Sequence, residues 1–150
     1  MQLLQASDAA RLAGLTMHQL REWSARRALL VPDIPGAGRG RHALFSWQSV
    51  LALRLLLELQ DRFGAEVGAW KPAIEEARQL LKGQSFPGLW SAAFVFPDCG
   101  HARLIDKRTI STEGLLVLPL APHLQALAQS FAFPAEPQQR PLFPAVGVRQ

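Results

Sequence analysis

The chain has 150 residues, 49% of them apolar and 19% charged, and a net charge of +4. That length holds one ordinary domain, or a small domain with an appendage, and the apolar share is enough to bury a core. Its single cysteine, Cys99, excludes an internal disulfide and any cysteine-based zinc cluster.

The positive excess is uneven. Six arginines lie between positions 21 and 54 against only Glu22 and Asp33, whereas after Gly83 five basic residues face four acidic ones. A field concentrated in the first half suits a polyanionic partner, a solvated basic face being the plainer alternative. The opening MQLLQASDAARLAG lacks the basic flank and apolar run of a signal peptide, and SVLALRLLLEL is short and interrupted by Arg54. Both features predict a cytoplasmic protein with no membrane association. The low charged fraction predicts surface hidden in a homodimer.

Ser7 is the expected N-cap of a first helix, with Asp8 at its positive end and Ala9, Leu12 and Ala13 on one apolar stripe. Gly14 is its natural stop. Thr16 and Gln19 have capping-box spacing, so a second helix begins almost at once and runs to about Arg27. Met17, Leu20 and Trp23 form its apolar face, and His18, Gln19, Arg21, Glu22 and Arg26 lie opposite. Two short helices joined by a tight glycine turn make a helix-turn-helix.

Pro32 and Pro35 forbid a continuing helix, and Gly36, Gly38 and Gly40 mark a flexible tip. RHALF is expected to pair with LLVP across this tip as a β-hairpin wing bearing Arg39 and Arg41. Ser46 then caps a long helix, WQSVLALRLLLELQDRF, apolar around so much of its circumference that it must be buried on several sides. A further helix runs from about Pro72 to Leu81, with Ile74, Ala77, Leu80 and Leu81 inward and Glu75, Glu76 and Arg78 in water.

After Gly83 the pattern changes. WSAAFVF and HARLID read as strands joined by a PDCG turn, GLLVLPL as a third strand, and PHLQALAQSF as a short helix. Cys99 reads as a turn residue, and His101 and His123 as ordinary surface or strand-end histidines. From Pro134 the chain is an extended, proline-rich tail, held down locally by Leu142 and Phe143. The expected fold class is α+β. Residues 1–83 form a winged helix-turn-helix DNA-binding domain, 84–133 a small α+β dimerisation or partner-binding segment, and 134–150 the tail.

The order of helix-turn-helix, LREWSARRALLVP, basic glycine-rich wing and RHALFSWQSVLALRLLLEL resembles the MerR type of winged helix over residues of about 3–82. The residues that carry the resemblance are Leu20, Arg21 and Trp23, then Ala28, Leu29, Leu30 and Pro32, then Phe45 and Ser46. Three positions depart from that pattern. Ala28 stands where a turn glycine is usual, so the second helix is expected to run on slightly. Glu22 replaces an aromatic that contacts phosphate, and Ala43 an arginine; Arg39 and Arg41 are expected to compensate. The half after Gly83 loosely resembles the strand-rich segment that follows a similar winged helix in some antitoxins.

In a helix-turn-helix the second helix enters the major groove, which nominates Met17, His18, Gln19 and Arg21 for base edges. Gln pairs with adenine, Arg with guanine, and Met17 fits either a thymine methyl or the core. Thr16, at the helix N-terminus, is placed for a phosphate. Arg26, Arg27, Arg39, Arg41 and His42 are placed for the DNA backbone. No Lys-Ser/Thr follows GAGRG, no histidines sit at metal-ligand spacing and no nucleophile elbow occurs, so neither an enzyme nor a cofactor is expected. The expected function is a transcriptional regulator, a homodimer reading an inverted repeat of double-stranded DNA. The alternative is an antitoxin that binds a toxin through its C-terminal half and represses its own operon.

Overall fold

Two extended residues, Leu4–Gln5 (β1), open the fold by pairing antiparallel with Leu44–Phe45 (β2). The computed structural model describes residues 2–109 and 116–134, so the tail beyond Pro134 and the residues 110–115 before the third C-terminal strand lie outside the described residues. Pairing with β2 decides where the first helix starts. Gln5, still extended, is the N-cap of α1 (Ala6–Ala13), without a side-chain hydrogen bond. Ser7, the expected cap, is an exposed helical residue instead.

The second helix begins as α2 (Met17–Arg21) and widens into a π turn over Glu22–Arg26. The wing between residues 35 and 43 closes differently from the expected hairpin. LLVP does not pair with RHALF: Leu29 and Leu30 are buried in the core, and the neighbouring prolines lack an N–H. Ile34, between the two prolines, supplies both groups, donating to the Leu44 carbonyl at 3.2 Å and accepting from its N–H at 2.9 Å. Leu44 is thus shared between Ile34 and β1.

Ser46 caps α3 (Trp47–Phe63) as expected, accepting from the Ser49 N–H at 3.3 Å. α3 is the axis of the molecule. Val50, Leu51, Ala52, Leu53, Leu55, Leu56 and Leu59 are all fully buried, against α1, α4 (Lys71–Lys82) and α5 (Ala121–Ala128). Around α4 two expectations reverse. Arg78 is buried and bonded to Asp33, while Leu80 is 38% exposed. The buried face is Ala73, Ile74, Ala77, Arg78 and Leu81, because the carboxylate of Asp33 needs a cation on that side.

The C-terminal sheet has the order β4-β3-β5 and is antiparallel throughout, built from β3 (Ala92–Asp98), β4 (His101–Asp106) and β5 (Leu116–Pro119). α4 lies against β4, where Glu76 accepts from the Ala102 N–H at 2.8 Å and the Cys99 carbonyl from the Ala73 N–H at 3.3 Å. Leu124, Leu127 and Phe131 are buried as expected. Trp47 meets Phe86 edge-on at 5.4 Å, and Phe86 stacks on Phe133 at 4.2 Å, so the start of α3 and the end of the described chain share an aromatic cluster. The core runs unbroken from Ala9 to Phe131.

Candidate nucleic-acid interface

The turn between the two short helices is fixed by three sets of bonds. Gly14 takes φ +79°, and the Leu15 N–H returns to the Ala10 carbonyl at 2.9 Å, which ends α1. The Leu12 carbonyl, one of the orphan acceptors of that last turn, is taken at 2.6 Å by the Arg54 guanidinium of α3. Thr16 and Gln19 then form the complete expected capping box. The Gln19 N–H donates to Thr16 Oγ1 at 3.1 Å, and the Thr16 N–H to Gln19 Oε1 at 3.0 Å.

That box gives Gln19 a structural duty. Bidentate pairing with adenine needs both its Oε1 and its Nε2, and Oε1 already accepts from Thr16. Met17 is half-buried against the core, whereas His18 and Arg21 stand in water. Their direction is set by Leu20 and Trp23, which are 1% and 3% exposed on the opposite side. The helix does not run on past Arg27. Ala28 takes the left-handed φ of +48°, the conformation of the glycine it replaces, and the Leu29 N–H closes back on the Trp23 carbonyl at 2.7 Å.

The basic residues divide into paired and unpaired groups. Arg26 bonds Glu22 at 3.1 Å on the exposed helix surface. Arg27 bonds Glu66 at 2.8 Å, reaching the connection between α3 and α4. Hydrogen bonding from Arg27, with the N–H groups of Gly68 and Ala69, holds the Glu66 carboxyl below its usual range. Arg21, Arg39 and Arg41 form no ion pair among the described residues. Arg41 and His42 of the wing come together with Gln5, Ile34 and Leu44 around one open cleft.

Behind the wing lies a hub that no sequence pattern announces. Asp33 accepts from the Ser46 N–H at 2.7 Å, from Ser49 Oγ at 2.6 Å and from Arg78 at 3.3 Å. Burial alone would raise its carboxyl, but the bonds from Ser49 and Ser46 and the charge of Arg78 outweigh burial and hold it below the usual carboxylate range. The base of the wing is therefore tied to the start of α3 and to α4. His123 is a second residue that the sequence did not reveal, and a correction. It is 8% exposed, between Arg54 and Glu58 of α3, and is no ordinary surface residue. Its partners stand 69 and 65 positions away, so no local spacing signals them.

A helix-turn-helix with a wing and a long buried helix behind it is the arrangement that the family comparison picks out. The model of the MerR HTH family of regulatory proteins matches residues 4–82. The chain belongs to this family. Over 73 residues it is 36% identical to HTH-type transcriptional regulators of Mycobacterium bovis and of two strains of Mycobacterium tuberculosis. The matched stretch covers 48% of this chain and 32% of those relatives, so this MerR-family chain spans about a third of the length of the curated relatives it matches. Among the described residues no helix is long and apolar enough to cross a membrane, and no group of three or more His, Cys, Asp or Glu is placed to hold a metal ion.

Proposed function

We propose that this protein is a sequence-specific regulator of transcription that binds double-stranded DNA, with residues 1–83 as the reading unit. The observation that carries the reading is the second helix. A complete capping box fixes its start, Leu20 and Trp23 lock one side into the core, and His18 and Arg21 are left in water on the other. Arg21 reads a base, Arg39, Arg41 and His42 follow the backbone from the wing, and Thr16 stands at a phosphate-binding helix end. Gln19, Arg26 and Arg27 act from the same helix, Gln19 through its free Nε2. The two arginines reach phosphate by exchanging Glu22 and Glu66 for it.

The protein works as a homodimer on an inverted repeat, with 84–133 supplying the contact. The dimer reading is supported by β5, which pairs only with β3 among the described residues.

The test is binding to a labelled fragment from upstream of the protein's own gene, against scrambled DNA, across a salt series. Tight, salt-sensitive binding to the first fragment alone is expected. Arg21→Ala is expected to weaken it by roughly tenfold to a hundredfold, the worth of one good bidentate base contact. Equal binding to both fragments would replace sequence reading with an architectural role. No binding to either would end the reading.

A further inference from the structure

Arg54, His123 and Glu58 lie where the end of α1, the middle of α3 and the start of α5 meet. Ala13, Gly14, Leu57, Asp61 and Arg62 complete the walls of the cleft there. Arg54 has two bonds in opposite directions. Its Nη1 donates to the Leu12 carbonyl at 2.6 Å, and its Nε donates to His123 Nδ1 at 3.2 Å. A guanidinium nitrogen only donates, so His123 Nδ1 must be the lone-pair nitrogen. The proton of the neutral ring is therefore on Nε2, which donates to Glu58. Glu58 is shared in turn with Arg62, at 2.9 Å.

We propose that His123 and Arg54 are positioning residues for the reading helix: neutral His123 holds Arg54 on the last turn of α1, and protonation of His123 releases it. The proposal rests on the DNA-binding reading above for its consequence, though not for its geometry. The physical reason is donor against donor. A proton on Nδ1 would point at the Nε–H of Arg54 and set two cations in contact, while the bond to Glu58 would survive. Arg54 would then turn away from Nδ1 and carry its grip on the Leu12 carbonyl with it. That carbonyl lies two residues before Gly14, in the turn that leads into Thr16 and α2. The C-terminal half thereby governs the register of the helix-turn-helix.

The surroundings favour the neutral ring. Burial lowers the proton affinity of His123 below the ordinary imidazole value of 6.5, against the pull of Glu58 and with help from Arg54 and Arg62. Asp61, also on α3, is the remaining charged group of the cleft, and α1 contributes only Ala13 and Gly14 to its walls. The contact is whole above pH 6.5 and is lost as the pH falls through the lower value that the fold imposes.

The decisive experiment is a pH titration of the full chain by nuclear magnetic resonance, from pH 8 to pH 5, following the His123 ring and the backbone amides of residues 12–19. In the wild type those amides are expected to shift with the midpoint of His123, and in His123→Gln that shift is expected to vanish. Turn amides that ignore the His123 midpoint would overturn the proposal, and the wild-type arm alone decides this if the variant does not fold. Binding to the upstream fragment supplies the second arm. The ratio of wild type to variant cancels every pH effect that the two proteins share and so isolates the relay. That ratio is expected to fall about fivefold between pH 7.5 and 5.5, the lower end of ordinary coupling between sites, at an unchanged salt slope. An equal pH response in the two proteins would contradict the relay. Absence of DNA binding at every pH would sink the regulator reading and leave the resonance arm to judge the relay by itself.

Discussion

The two helices of the helix-turn-helix end in the same left-handed conformation on opposite terms. α1 stops at Gly14, φ +79°, and the second helix stops at Ala28, φ +48°. A Cβ on Gly14 would lie 3.2 Å from a methyl of Leu57, so both backbone and neighbour call for glycine there. At Ala28 a side chain is present, although an L-residue in this region is disfavoured by about 1–2 kcal/mol. The next two residues keep it there. The Leu29 N–H bonds the Trp23 carbonyl at 2.7 Å, and Leu29 and Leu30 are only 4% and 1% exposed. Strained backbone persists where its surroundings over-determine it. The first turn is made by its own residue, the second by the core behind it.

Removing that support should break the second turn most severely. Leu29→Ala is expected to destabilise the protein by about 3 kcal/mol, within the usual range for a buried leucine. In a chain of this size that lowers the midpoint of thermal unfolding by roughly 6–12 °C. Hydrogen exchange at Leu29 and Leu30 should quicken more than at Leu15. Equal quickening at both turns would mean that they share one source of support. Gly14→Ala strikes the other turn and is expected to cost about 2 kcal/mol, from the left-handed backbone and the approach to Leu57. A thermal melt reads this too, and a variant as stable as the wild type would show that Leu57 yields freely and that the glycine is dispensable.

The same contrast separates what was legible in the sequence from what was not. The capping box of Thr16 and Gln19, the stop at Gly14 and the cap at Ser46 are short-range patterns, and the structure carries all of them. The three C-terminal strands and α5 also form in the stretches where the sequence pattern put them, as far as the described residues reach. Ser7 failed as a cap because β1 pairs with β2, a contact made far along the chain. Arg78, placed in water, went inside to meet Asp33, and Leu80 came out. The position of a buried charge depends on a partner that periodicity does not reveal. In the candidate interface the residue types were readable, but their commitments were not. That Glu22 and Glu66 hold Arg26 and Arg27 appears only in three dimensions.

The smallest change makes the sharpest comparison. Ala28→Gly leaves the core untouched and removes only the Cβ that the left-handed turn opposes. Relief of roughly 1–2 kcal/mol in the folded backbone is offset by about 0.4–1 kcal/mol of added freedom in the unfolded chain. The net expectation is a gain of about 1 kcal/mol, or roughly 2–4 °C in the unfolding midpoint. The sign matters more than the size, because Gly14→Ala, the reverse exchange at the other turn, is expected to move the midpoint downward. A rise would mean that Ala28 sits in a strained turn which Leu29 and Leu30 hold in place. A fall would mean that the Ala28 methyl contributes packing worth more than its strain, and the second turn would then be stabilised by its own residue just as the first one is.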